Sequence, residues 1–337
     1  MRKTALIYLF TFLSFTGAFA QDDLGDLIKG SVADANILLE GYVGPAMRTL
    51  GSGLNQGWYN TAKPHQKFGV DLTISTSLMY VPSSDMFYLV DNNKLSDISL
   101  VEYDNKPIDP TTGSANVPTI FGPDKAPTYE VDGEAVTGPG GIDLKDAIKI
   151  ANALPVPMYQ VGLGLPKGFD LKVRFAPTVK MSDFQFNLLG IGVLHDVGQY
   201  LPVVKALPVD ISLFVGYTKM EAEQDLTGTT AGQNQKGALR FNSTTVQALV
   251  SKKISVLTLY GGVGYNFSNS NIAMEGTYDM DDDGTPETTN PVNLDFSSSG
   301  FRATGGLRLK FAVFTLHADY TLADYNALTA GFGINVR

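Results

Sequence analysis

The stretch that decides the fold is Phe68-Gly69-Val70-Asp71-Leu72-Thr73-Ile74-Ser75-Thr76-Ser77-Leu78-Met79-Tyr80. Every even position except Thr76 is bulky and apolar, and most odd positions are small or polar. Successive residues of a strand point to opposite sides, so this segment has one apolar face and one polar face. A soluble sandwich shows the same rhythm. What separates the two is the company the alternation keeps: an export leader at one end and a strand running to Arg337 at the other. The combination predicts an all-β membrane protein, a single antiparallel β-barrel whose apolar face meets lipid.

Similar stretches follow near 86–91, 98–104, 158–165, 169–180, 184–196, 209–222, 239–252, 256–268, 294–310, 312–321 and 326–337. Phe169, Leu171, Val173 and Phe175 share one side of their strand, with Asp170, Lys172 and Arg174 on the other. Arg302, Arg308 and Lys310 likewise fall on the non-apolar parity. Charges confined to that parity predict a polar interior, with Lys172, Arg174, Arg302, Arg308 and Lys310 as lumenal charges. The count is twelve strands. It becomes fourteen if Thr128–Val131 and Glu134–Thr137, either side of the hairpin signal Asp132-Gly133, join the wall. The last strand carries Leu328, Ala330, Phe332, Ile334 and Val336 on one parity, and its final residues suit barrel closure.

Residues 1–20 read as a secretory leader: Arg2 and Lys3, an apolar run, then Ala18-Phe19-Ala20, with cleavage expected before Gln21. The chain has no Cys, which excludes disulfides and thiolate chemistry. Its net charge of −9 disfavours nucleic acid as a partner, because neutralising phosphate requires Lys and Arg. Outer-membrane lipid is the expected environment. After the leader no apolar run is long enough for a spanning helix, and only helices and closed barrels satisfy their backbone groups in lipid.

Between leader and wall, Leu24, Leu27, Ile28, Val32, Ala35, Leu38, Leu39 and Tyr42 recur at helical spacing. Gly41, Gly44 and Pro45 are expected to end this helix, with a second short turn through Leu50. A periplasmic or lumenal plug over residues 21–65 is the expected role, with the apolar stripe and the Trp58-Tyr59 pair as ligand-contacting or plugging residues. Plain packing of Trp58 against the wall is the alternative. The barrel then covers 66–337. Counting crossings from a periplasmic start places 104–157 outside the cell as a long loop bearing one helix, Asp143 to Leu154. The same count places 222–237 and 278–293 outside.

Asp279-Met280-Asp281-Asp282-Asp283-Gly284-Thr285-Pro286-Glu287 is the sharpest local motif. Asp279, Asp281, Asp283 and Glu287 fall at positions one, three, five and nine of a calcium loop, with Gly at the sixth. Position twelve is Asn290 and no helices flank it, so an EF-hand is not expected; a strand-tip calcium site or a solvated acidic turn is. His65, His195 and His317 lack metal-ligand spacing, and no nucleophile or nucleotide motif is present, so no enzyme is expected.

Gly57-Trp58-Tyr59-Asn60-Thr61-Ala62-Lys63-Pro64 with Phe68–Thr73, and Leu188–Val197 with Leu207–Ser212, resemble a group of outer-membrane barrels from Bacteroidota. More distantly, the layout resembles the FadL-type long-chain fatty acid transporters. That resemblance implies an N-terminal plug, fourteen strands, and diffusive capture or passage of small hydrophobic cargo through the outer membrane of a Gram-negative bacterium. The second expectation is a non-transporting barrel that serves as subunit or scaffold among envelope protein partners.

Overall fold

The computed structural model describes residues 27, 30–145, 152–181, 184–201, 208–226, 231–280 and 283–336. The helix α1 (Val32–Gly53) precedes the strands among the described residues. In chain order these are β1 (Val70–Tyr80), β2 (Phe87–Asp91), β3 (Ile98–Tyr103), β4 (Lys106–Pro107), β5 (Ser114–Pro118), β6 (Thr128–Val131) and β7 (Glu134–Thr137). Then come β8 (Ala153–Leu165), β9 (Phe169–Met181), β10 (Phe184–Asp196), β11 (Asp210–Asp225), β12 (Lys236–Ile254) and β13 (Leu257–Glu275). The chain ends with β14 (Thr277–Tyr278), β15 (Thr288–Thr289), β16 (Val292–Phe311), β17 (Phe314–Leu322) and β18 (Ala327–Val336).

Ten of these close a barrel in the order β1-β18-β17-β16-β13-β12-β11-β10-β9-β8, and β8 returns to β1. Every neighbouring pair is antiparallel. The expected count of twelve to fourteen is therefore corrected to ten. β2 (Phe87-Tyr88-Leu89-Val90-Asp91) is a short apolar run and β3 alternates at its start, but β2 pairs with β5, and β3 with β4 and β6. β6 and β7 form the hairpin that Asp132 and Gly133 signal, both at positive φ, yet it too lies outside the wall. The reason is physical. Alternation marks a two-faced strand without saying what covers the apolar face. Here Val90, Ile98, Leu100, Val117, Tyr129 and Val131 bury theirs against Leu27, Ala35, Leu38 and Leu39. The two displaced segments are one up-and-down pair, so the sidedness of every other loop is unchanged.

Along β1 the burial is inside-out. Val70, Leu72 and Ile74 are 42–47 % exposed, whereas Asp71, Thr73, Ser75 and Ser77 are all buried. Leu213, Val215 and Tyr217 on β11 and Phe332, Ile334 and Val336 on β18 repeat the pattern. Such a surface is costly in water and suits a wall whose outside meets hydrocarbon. β1, β17 and β18 hold 11, 9 and 10 residues, the length that spans a hydrocarbon core at a tilt of about 45°. β12, β13 and β16 hold 19 to 20 and project beyond it. On the projection the outer row turns charged. Lys219 meets Glu221 at 2.7 Å, and Lys236 and Arg240 both pair with Glu275. That step marks the edge of the apolar band. No described helix is long and apolar enough to cross a membrane.

The connections sort by length. Residues 81–152, 226–235 and 276–291 leave one end of the barrel, with the short links 182–183 and 323–326. Residues 166–168, 197–209, 255–256 and 312–313 close the other. These are called the loop end and the turn end below. Of the helix expected over Asp143–Leu154, the last two positions belong to β8, which begins at Ala153. Its N-cap is present: the Asp143 carboxylate accepts the Lys145 N–H at 3.0 Å. Residues 146–151 lie outside the described residues.

Candidate functional site

The barrel interior is occupied by the second half of α1 and the segment that follows it, residues 47–65, while the first half of α1 lies under the loop sheets. α1 starts at the loop end, where Ser31 Oγ accepts the Asp34 N–H. It does not stop at Pro45 as expected. Proline removes one N–H and fixes a φ that a helix tolerates, and tertiary packing holds the remainder. Gly51 and Gly53 let the helix approach the wall: a Cβ on Gly51 would lie 2.0 Å from Ser268 Oγ, and one on Gly53 2.8 Å from Val156 Cγ2. Beyond Gly53 the chain continues to the turn end, where the Phe68 N–H donates to the Gly164 carbonyl and the Gly164 N–H to the Gly69 carbonyl. The segment thus threads the barrel from loop end to turn end.

Three sets of contacts hold this thread. At the loop end the Asp34 carboxylate, 2 % exposed, accepts three backbone N–H groups, from Ser96, Asp97 and Ile98, at 2.7–2.9 Å. A single side chain therefore ties α1 to the loop sheets.

Midway, two arginines grip the end of α1. The last carbonyls of a helix lack intrahelical partners and carry the negative end of its dipole, so they favour cations. Arg174 on β9 donates Nη1 to the Leu54 carbonyl at 3.0 Å, Nη2 to the Gln56 carbonyl at 2.6 Å, and Nε to Gln160 Oε1 at 3.1 Å. From the facing wall, Arg302 on β16 donates Nη1 to the Asn55 carbonyl at 2.9 Å and Nη2 to Gln56 Oε1 at 2.8 Å. Trp58 lies under the Arg174 guanidinium, 3.6 Å from its carbon. Its ring fills a recess made by three glycines of β10 and β11. A Cβ on Gly190, Gly192 or Gly216 would come within 2.8–3.1 Å of indole atoms. Tyr59 donates its hydroxyl to Gln247 Oε1 at 2.5 Å.

At the turn end Ser212 Oγ donates to the Ala62 carbonyl, and Ala62 N–H donates to Ser251 Oγ. His65 sits between two buried carboxylates, with Nδ1 2.8 Å from Asp170 Oδ2 and Nε2 3.6 Å from Asp71 Oδ1. Nε2 also meets Asn335.

The interior is graded along its axis. Toward the loop end Met47 and Leu54 pack with Met79, Val156, Met158, Phe186, Leu188, Met220, Phe241 and Phe296. Toward the turn end the lining is Asp71, Thr73, Asp170, Lys172, Arg308, Thr315 and His317, all buried. Asp71 Oδ1, Asp170 Oδ1, Arg308 Nε and His317 Nδ1 are buried without a hydrogen-bond partner, which calls for ordered water around the thread. Outside, a shallow lipid-facing groove runs over Leu307, Leu316, Ala330 and Phe332.

Lys172, Arg174, Arg302 and Arg308, expected inside, are buried on the inner face, and Lys310 is half-buried against Asn335. The expected plug stripe divides. Leu27 and Leu39 are buried and Val32 partly so, but all three cover the loop sheets, while Trp58 and Tyr59 lie in the lumen. Ile28 lies outside the described residues. Of the acidic motif, Asp279, Asp283 and Glu287 are described and Asp281 is not. Asp34 and the carboxylates around His65 were not singled out in the sequence; the inward parity of Asp71 and Asp170 was the available signal.

The chain belongs to a family of unknown function (DUF6588), whose model matches residues 1–336. No curated protein is similar to it. Among solved structures, the attachment invasion locus protein Ail of Yersinia pestis is 8 % identical, covering 80 % of this chain and 99 % of that one, at a TM-score of 0.27. The translocator domain of autotransporter NalP from Neisseria meningitidis is 10 % identical over 81 % and 90 % (TM-score 0.27). A Pseudomonas aeruginosa FadL homologue is 9 % identical over 88 % and 96 % (TM-score 0.22). With TM-scores this low, the membrane reading stands on the closed strand order and the inside-out wall.

Proposed function

We propose that this chain is a non-conducting barrel of a Gram-negative outer membrane, exported by a leader cleaved after Ala20, that anchors a folded loop domain on the cell surface as subunit or scaffold of an envelope protein complex. The observation that carries this reading is the threefold hold on residues 32–65. A mobile plug needs a weak attachment somewhere along its length. Here the loop end, the middle and the turn end are each tied by buried polar bonds. Planar-bilayer recording of the purified chain tests it. The intact protein is expected to give no sustained conductance, and stable open-channel current from it would overturn the reading.

The second reading is FadL-like capture or diffusive passage of a small hydrophobic molecule. It is favoured by the methionine-rich lining near the loop end, because Met79, Met158 and Met220 are side chains that repack readily around apolar guests. Cargo entering there meets the polar half of the lumen, so its exit would run sideways into lipid. Uptake of an apolar fluorophore into liposomes by the intact chain would favour this reading over the scaffold.

A further inference from the structure

We propose that the turn-end mouth of the lumen holds a phosphate-binding site, built by Arg308, Lys310 and Lys253 on the inner wall. Arg308 on β16 is 8 % exposed, and its Nε is buried without a hydrogen-bond partner. Asp71 is the carboxylate among its charged neighbours, yet none of the described ion pairs involves Arg308. The other buried arginines of the wall, Arg174 and Arg302, spend their donors on carbonyls of the thread. A buried guanidinium with an idle donor and no paired charge is costly. Water returns the hydrogen bond but not the charge. An oxyanion within reach of Nε supplies both.

Strand register gathers the partners. Lys253 of β12 pairs with Thr258 of β13, Thr258 with Arg308 of β16, and Arg308 with His317 of β17, so these inward positions lie side by side along the wall. Lys253 shares the parity of the buried Leu249 and Ser251 but stands past the last covered position, exposed at the mouth. Lys310, two residues beyond Arg308 on the same face, has Arg308 and Lys253 as charged neighbours. One of its three donors goes to Asn335 Oδ1, and the others are free to bind. His317 Nδ1, next to Arg308, is buried without a partner.

The charge count names the ligand. Arg308, Lys310 and Lys253 bring three positive charges and Asp71 one negative, an excess of two. Lys172, the other cation of this half of the lumen, is matched by Asp170 at 3.4 Å. Cations at the loop end are matched too: Lys125, Lys219, Lys236 and Arg240 each meet a carboxylate at 2.5–3.0 Å. Like charges held together without a counter-ion repel, more so where water is scarce. A phosphate dianion balances the excess, and its several oxygens can take bonds from the guanidinium fork and both ammonium groups at once. The phosphate can be the free ion or the headgroup of a phospholipid in the adjacent leaflet, since the mouth opens at that level.

Calorimetric titration of the full chain in detergent with sodium phosphate, against sodium chloride at matched ionic strength, tests this. Saturable binding of phosphate alone is expected, with a Tm raised by phosphate and not by chloride. Arg308→Gln and Lys253→Gln should each weaken phosphate about tenfold or more, the loss of one charge-assisted bond, while the protein still migrates as a folded barrel in unheated gels. Lys253 is exposed at the mouth, so if Arg308→Gln does not fold, Lys253→Gln decides alone. Lys252→Gln removes the same charge one residue away, on the lipid-side parity of Val250, and should bind phosphate as the parent does. Nanodiscs separate the two sources. Phosphate heat abolished by phosphatidic acid but not by phosphatidylcholine identifies a headgroup site, and equal heat in both identifies the free ion. No saturable phosphate binding, chloride matching phosphate, or equal losses in Lys252→Gln and Lys253→Gln would each overturn the proposal.

Discussion

Replacing Arg174 by Ala probes the hold on the thread most directly. The guanidinium is fully buried and serves three acceptors, the Leu54 and Gln56 carbonyls and Gln160 Oε1. It also caps the indole of Trp58. Water refilling the vacated space limits the loss to about 1 kcal/mol per acceptor. The cation–π contact adds about 1 kcal/mol. Against this, a guanidinium no longer has to be desolvated, which returns a part. A net loss of about 3 kcal/mol remains, localised where α1 ends. At about 1.4 kcal/mol per factor of ten, local opening of residues 54–58 rises about a hundredfold. The chain contains one Trp, so its fluorescence reports on the thread alone. In the parent protein Trp58 emission should be blue-shifted and resistant to acrylamide. In Arg174→Ala it should move red and quench readily, with faster amide exchange over Leu54–Trp58, while unheated-gel migration still shows a closed barrel. Arg174→Lys restores the charge but cannot serve two carbonyls in one fork, and should fall between. Unchanged emission and quenching in the Ala variant would refute the idea that this arginine holds the thread.

Asp34→Ala strands three backbone N–H groups and should loosen the junction of α1 with the loop sheets by about 3–5 kcal/mol; exchange at Ser96–Ile98 reads it, and parent-like protection there would contradict the role. Because the chain lacks Cys, single cysteines report sidedness. Ala33→Cys and Asp132→Cys should react with an impermeant maleimide on intact cells and Lys252→Cys should not; the reverse pattern would invert the assignment of loop and turn ends. In the loop domain, burial pushes Tyr129 up to about 12, and burial together with the Tyr129 neighbour raises Tyr88 well above its ordinary value. A folded-state value above the unfolded 10.0 adds stability that is complete below pH 10 and is lost as pH rises toward 12. Tyrosinate absorbance compared with Tyr88→Phe and Tyr129→Phe checks this, and ionisation of either near pH 10 would contradict it.

The order of residues by itself determined the wall. The period of two puts Val70, Leu72 and Ile74 on one side and Asp71, Thr73 and Ser75 on the other whatever the partner strand, and parity alone sent Lys172, Arg174, Arg302 and Arg308 inward. It could not decide which alternating strands belong to the barrel. Phe87–Asp91 and Ile98–Tyr103 are strands with enough apolar residues to serve in a wall, and only the helix stripe lying over them made a protein core where lipid was expected. Nor could it give the direction of the thread, because Leu27 and Leu39 suit the underside of a loop domain as well as a barrel interior. Some partners of the buried charges lie more than a hundred positions away, as with Arg174 and Leu54 or His65 and Asp170. Such contacts are set when the barrel closes around the segment, since periodicity fixes which way a side chain faces and closure fixes what it meets.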